Sequence, residues 1–167
     1  MGENMKYVKY LFLSLLLITS PSYIFAANSS VTQSMVVSGT GDNVIAKVTI
    51  AWVADDTDGS VPSTALTSAY TTYFHNWVCF FAVTDPGGTA PQALYDIVIN
   101  DAYSMDIFGG ALADRSATLS QQSLPLIATS TYGPRVVDTA LTFVLTNNNV
   151  NSATGTLVLY FAKRWIR

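Results

Sequence analysis

Beyond its first 26 residues the chain has no Glu, one His (His75), one Cys (Cys79) and two Lys (Lys47 and Lys163). General acid–base catalysis draws on groups that titrate near neutrality, and metal sites draw on clusters of His, Cys and carboxylates, so both chemistries have little to work with. The inventory points to a non-enzymatic protein whose product is a surface or an assembly. One cysteine cannot close an intrachain disulfide; Cys79 lies in Trp77-Val78-Cys79-Phe80-Phe81, where burial as a small hydrophobe is the expected state and intermolecular pairing the alternative. Charge is scarce too: charged residues make up 11% of the chain, against about a quarter in an ordinary domain. From residue 27 onward ten Asp face six Lys plus Arg, a net charge near −4. Nucleic acid is not an expected partner, because phosphate neutralisation needs clustered cations and the one cluster is Lys163, Arg164 and Arg167. Low charge beside abundant apolar residues implies surface covered by copies of the chain or by a neighbour.

What is present begins with a leader. Lys6 and Lys9 precede an apolar run over residues 11–18, broken by Ser14, and Thr19, Ser20, Pro21 and Ser22 end it before Ile24, Phe25, Ala26 and Ala27. That order matches a secretory signal peptide, and the run is well short of the roughly 20 apolar residues of a spanning helix. Residues 1–26 are therefore expected to be a signal peptide cleaved after Ala26, with 27–167 a single domain large enough to bury a core. An uncleaved leader would be the one route to a membrane. The expected location is exported, extracellular or periplasmic, or the surface of a virion.

Period-two alternation dominates the domain and helical periodicity is absent, which predicts strands. In residues 44–54, Val44, Ala46, Val48, Ile50, Trp52 and Ala54 share one face. A turn over residues 39–43 joins this strand to an earlier one at 35–38, and residues 55–63 read as a polar loop. Residues 70–84 read as one long aromatic strand, apolar on both faces. After Asp85-Pro86-Gly87-Gly88, residues 94–100 return with Tyr95, Ile97 and Ile99 alternating, and 111–123 read as a loop or short helix. Residues 135–146 read as a strand, Asn147-Asn148-Asn149 with Asn151-Ser152 as a hairpin tip, and 155–162 as the strand that pairs back. Six or seven strands predict an all-β, antiparallel β-sandwich, jelly-roll connectivity being one order the count allows.

The stretch Val83-Thr84-Asp85-Pro86-Gly87-Gly88-Thr89-Ala90-Pro91, then Tyr95-Asp96-Ile97, then Met105-Asp106-Ile107-Phe108-Gly109-Gly110-Ala111-Leu112-Ala113-Asp114-Arg115, resembles a motif set in small β-rich structural proteins of tailed bacteriophages and prophages. The resemblance implies a virion-associated structural protein and transfers no functional residues. Members of that family begin without an export leader, whereas this chain starts with one, which keeps an exported surface or filament protein as the other setting.

Candidate chemistry is thin. On one strand His75 and Cys79 would stand roughly 13 Å apart at ~3.3 Å per residue, too far for proton transfer. Asp55, Asp56 and Asp58 invite a calcium reading, but their spacing departs from an EF-hand and no Glu follows, so solvated loop carboxylates are expected. Asp101, Asp106 and Asp114 form a second candidate cluster. Arg115 is expected to fix its loop by ion pairing with Asp114, and Arg135 to pair with Asp138. Trp52 and Trp77 read as core, whereas Trp165, flanked by Arg164 and Arg167, is the candidate contact with a neighbour. The expected role is structural: self-assembly, as a homo-oligomer or filament, or attachment to a larger particle. In a filament variant, residues 28–37 would be donated as a strand to the next subunit. The competing expectation is an exported glycan-binding module that uses aromatic faces.

Overall fold

A computed structural model describes residues 28–163. The leader and the cluster of Arg164, Trp165 and Arg167 lie outside them. Eleven strands appear in chain order: β1 (Ser30–Thr40), β2 (Asn43–Val53), β3 (Thr64–Ala65), β4 (Trp77–Pro86), β5 (Asp96–Asn100), β6 (Gln121–Ser123), β7 (Leu126–Ala128), β8 (Thr131–Tyr132), β9 (Arg135–Val137), β10 (Thr142–Thr146) and β11 (Thr154–Ala162); one short helix, α1 (Ser68–Tyr73), stands between β3 and β4. The fold is nearly all β, and every strand pair is antiparallel.

The large sheet runs β1-β2-β11-β4-β6, with β9 also on β4; a smaller sheet runs β3-β10-β5, and β7 and β8 form a separate ribbon. Alternation places the core as the sequence implies. Ala46, Val48, Ile50 and Trp52 of β2 are buried, as are Leu157, Leu159 and Phe161 of β11, while Ile97, Ile99, Phe143 and Leu145 enter the same cluster from the smaller sheet. Trp52 meets Tyr95 at 5.9 Å between ring centroids. Burying a side chain of this size contributes about 1.5–3 kcal/mol, so the shared apolar faces hold the two sheets together.

Five features depart from the sequence reading. The aromatic stretch from residue 70 is not one strand: α1 and a turn at Asn76 (φ 63°) precede β4. Leu66 and Phe74 are both buried, and an extended chain over the eight steps from one to the other would reach ~26 Å. A helical turn keeps both anchors over one core, where Phe74 stacks on Phe161 at 4.1 Å, and this outweighs the strand preference of Tyr and Thr. Within β4, the register against β11 slips at Tyr160/Phe161, so that Tyr160 faces Phe81 and Phe161 faces Cys79. The extra residue, Phe80, makes a β-bulge that shifts the alternation. Trp77 and Cys79 point inward before it, Ala82 and Thr84 after it, and both Phe80 and Phe81 flank Tyr160.

The segment 135–146 is likewise two strands: Val137 pairs with Trp77 in the large sheet, and Phe143 pairs with Ile99 in the small one. The Asn-rich segment after it is a crossover between sheets, not a hairpin tip, because β10 lies between β3 and β5 while β11 lies between β2 and β4. Finally, the segment considered for donation to another subunit is β1 of its own sheet, paired with β2 over Ser30–Thr40. Gln33 on β1 reaches α1's approach, donating to the Ala65 carbonyl at 2.9 Å and accepting from the Thr67 N–H at 2.8 Å.

Candidate functional site

The polar loops gather where the two sheets are joined. Asp55, at the end of β2 and almost fully buried, accepts from the N–H of Thr57 at 2.8 Å and from its hydroxyl. Those bonds hold its carboxyl below the usual carboxylate range, the Thr57 hydroxyl contributing most and burial opposing. Its backbone carbonyl receives Gly59 and Ser152, at 3.2 and 3.1 Å. Asn148 crosses the same junction: its amide donates to the carbonyls of Gly59 and Val150, and its oxygen accepts from Gln92 N–H at 2.9 Å. Gly59 has φ +72°, and an added Cβ would stand 2.5 Å from the Asn149 carbonyl carbon, so this approach of two loops requires glycine.

Most of the carboxylates with a candidate metal role accept hydrogen bonds from the protein, several from their own loops. Asp56 takes the Asn28 amide at 2.6 Å and Asp58 takes the Ser60 N–H at 2.8 Å. Asp101 accepts from Tyr103 and Met105; Asp106 accepts from Phe108 and Gly110, and more distantly from Ile99 at 3.4 Å. These are Asx-type turns, in which a short carboxylate replaces a backbone carbonyl. Asp114 sits apart, its N–H donating to Asp96 at 2.8 Å. Among the described residues no group of three or more His, Cys, Asp or Glu is arranged to hold a metal ion.

Arg115 donates to a backbone carbonyl of its own loop. Its Nε and Nη2 both donate to Ala113 O, at 2.9 and 2.8 Å, while its backbone bridges to Tyr95. Burial lowers the guanidinium from its ordinary value, against the charges of Asp114 and Asp96 and the Tyr95 phenol. Burial also pushes Tyr95 up to about 12. Arg135 reaches Leu126 O at 2.9 Å. His75 is exposed in the turn before β4, whereas Cys79 points into the core and burial pushes its thiol up, so the two do not meet. Trp52 and Trp77 are buried in the core.

What sequence reasoning missed is a shallow depression lined by Phe81, Ala111, Arg115, Gln122, Leu124 and Tyr132. It exists because the bulge in β4 turns Phe81 outward and because residues 124–136 fold back as a ribbon. The ribbon and its neighbour β9 expose Leu124, Ile127, Tyr132 and Val136, the last two at 57% and 63%. Tyr132 offers stacking, and Leu124, Ile127 and Val136 offer apolar contact. Among the described residues no helix is long and apolar enough to cross a membrane.

No family model matches the chain, and no curated protein matches it in sequence. A solved chain of the cyanophage Pam1 capsid asymmetric unit is similar at 15% identity, over 87% of this chain and 91% of that one, with a TM-score of 0.36. A likeness at that level carries no argument about role.

Proposed function

We propose that this chain is a non-enzymatic structural protein, exported or virion-associated, with a β-sandwich architecture, and that it works by self-assembly or by attachment to a larger particle. The observation that supports the reading is the exposure of the apolar side chains Leu124, Ile127, Tyr132 and Val136 within one short stretch of chain, spread over the β7–β8 ribbon, its approach and β9. Contiguous apolar surface rimmed by polar residues marks contact sites, and a chain with 11% charged residues has little else to keep copies apart. The turn motifs that resemble phage structural proteins agree with it. Light scattering of the full chain over a wide concentration range tests the proposal: mass above that of one chain is expected, and Ile127→Ser with Val136→Ser is expected to lower it. A monomer at the highest soluble concentration, with turnover of a substrate lost on replacing His75 or Asp55, would sink it.

A second reading, glycan binding, has one supporting observation: the depression lined by Phe81, Arg115 and Tyr132, which combines aromatic and hydrogen-bonding side chains of the kind sugars bind. A glycan array probed with the full chain, then with Tyr132→Ala, separates it from the first.

A further inference from the structure

We infer that the outer edge of β1 is where two copies of this chain join, antiparallel about a two-fold axis, so that their large sheets become continuous. The inference deepens the assembly reading and rests on it. β1 holds unbroken register with β2 over 11 residues and contains no charged residue and no proline. It terminates the large sheet, and among the described residues no strand pairs with its other side. An antiparallel strand binds one neighbour through alternate residues, so about half of its N–H and C=O groups point away from β2. Natural edges are protected by lysine, proline, a bulge or short length, and this edge has none of these. Val36 and Val37, adjacent and so on opposite faces, are 56% and 39% exposed, which gives each face of a paired ribbon an apolar contact.

Charge selects the occupant and the direction. The start of β1 lies at the acidic loop, where Asp56 holds Asn28 at 2.6 Å and Asp58 follows. The turn end carries Lys163, whose ammonium is 3.4 Å from Gly41 O and 3.8 Å from the Asp42 carboxylate. Parallel pairing would set two acidic loops side by side. Antiparallel pairing sets each acidic loop beside the other copy's turn, where Lys163 balances Asp42, so that no two acidic ends meet, and the two-fold axis repeats the arrangement. A second copy supplies the neutral strand and, at each end, a turn that an acidic loop can lie against.

Hydrogen exchange across β1, read with light scattering of the full chain, tests the inference. In the assembled protein consecutive amides of Ser30–Thr40 are expected to be protected, and in the dilute monomer only alternate ones. Ser34→Lys with Ser38→Lys, both exposed, is expected to weaken association at least tenfold while the circular dichroism spectrum and melting temperature hold. Lys163→Glu is expected to weaken it in the same sense, because it removes the cation that balances Asp42 and makes the turn acidic. Assembly that persists unchanged in both variants overturns the edge inference and leaves the assembly reading standing. A wild-type chain monomeric at every concentration overturns both. Continuous protection of β1 in a monomer also overturns the inference, because the edge would then be covered from within one chain.

Discussion

Asp55 does at the residue scale what the sheets do at larger scale: it holds separate segments in one place. Its hydrogen bonds favour the ionised form, and its folded value lies below the unfolded one of about 3.9. The stabilisation it gives is therefore complete above that unfolded value and is lost as pH falls through the lower, folded one. Denaturant midpoints measured from pH 7 to pH 2 are expected to fall more steeply in the wild type than in Asp55→Asn, and Thr57→Val is expected to flatten the same limb in part. Equal acid limbs in all three proteins would refute the assignment. Gly155 supports a second residue-scale expectation. A Cβ there would stand 2.5 Å from the indole of the fully buried Trp52. Gly155→Ala is expected to cost about 1–3 kcal/mol, the usual range for overpacking a core, measured by chemical unfolding. An unchanged midpoint would show that Trp52 has room to move.

The elements divide by how much their signal depends on partners. β2, β5, β10 and β11 were legible because alternation of Val48, Ile50 and Trp52, or of Phe143 and Leu145, states directly which face is buried. The bulge at Phe80 was hidden, since an inserted residue in a strand of apolar side chains leaves the composition of both faces alike. The division of 135–146 was hidden for a related reason: a strand that changes sheets at residues 138–141 keeps the same period of two throughout. The Asn-rich segment shows the limit most plainly. Asn in positive φ serves a hairpin turn and a crossover equally well, and Asn147 at φ 59° says nothing about which strands it joins. Of the candidate site, Arg115 and the acidic loop could be found by residue type, whereas the depression over Phe81 could not, since its lining comes from segments joined only in the fold. Asn148 gives the crossover its test. Asn148→Ala removes bonds to Gly59, Val150 and Gln92 and is expected to cost about 1–3 kcal/mol in chemical unfolding. A change within error would mean that backbone hydrogen bonds alone hold the crossover.

In the whole molecule, the stabilising interactions join residues distant in sequence, and the order in which strands enter the large sheet governs how it can form. β11 is the middle of the path β1-β2-β11-β4-β6, flanked by partners that precede it by many residues. Pairings of such long range form slowly, because the intervening loop must close before the pairing can stabilise it. A ribosome must therefore synthesise the polypeptide through Ala162 before β2 and β4 can be bridged. Until then β2 is paired only with β1, and β4 only with β6 and β9, so the large sheet stays in two halves.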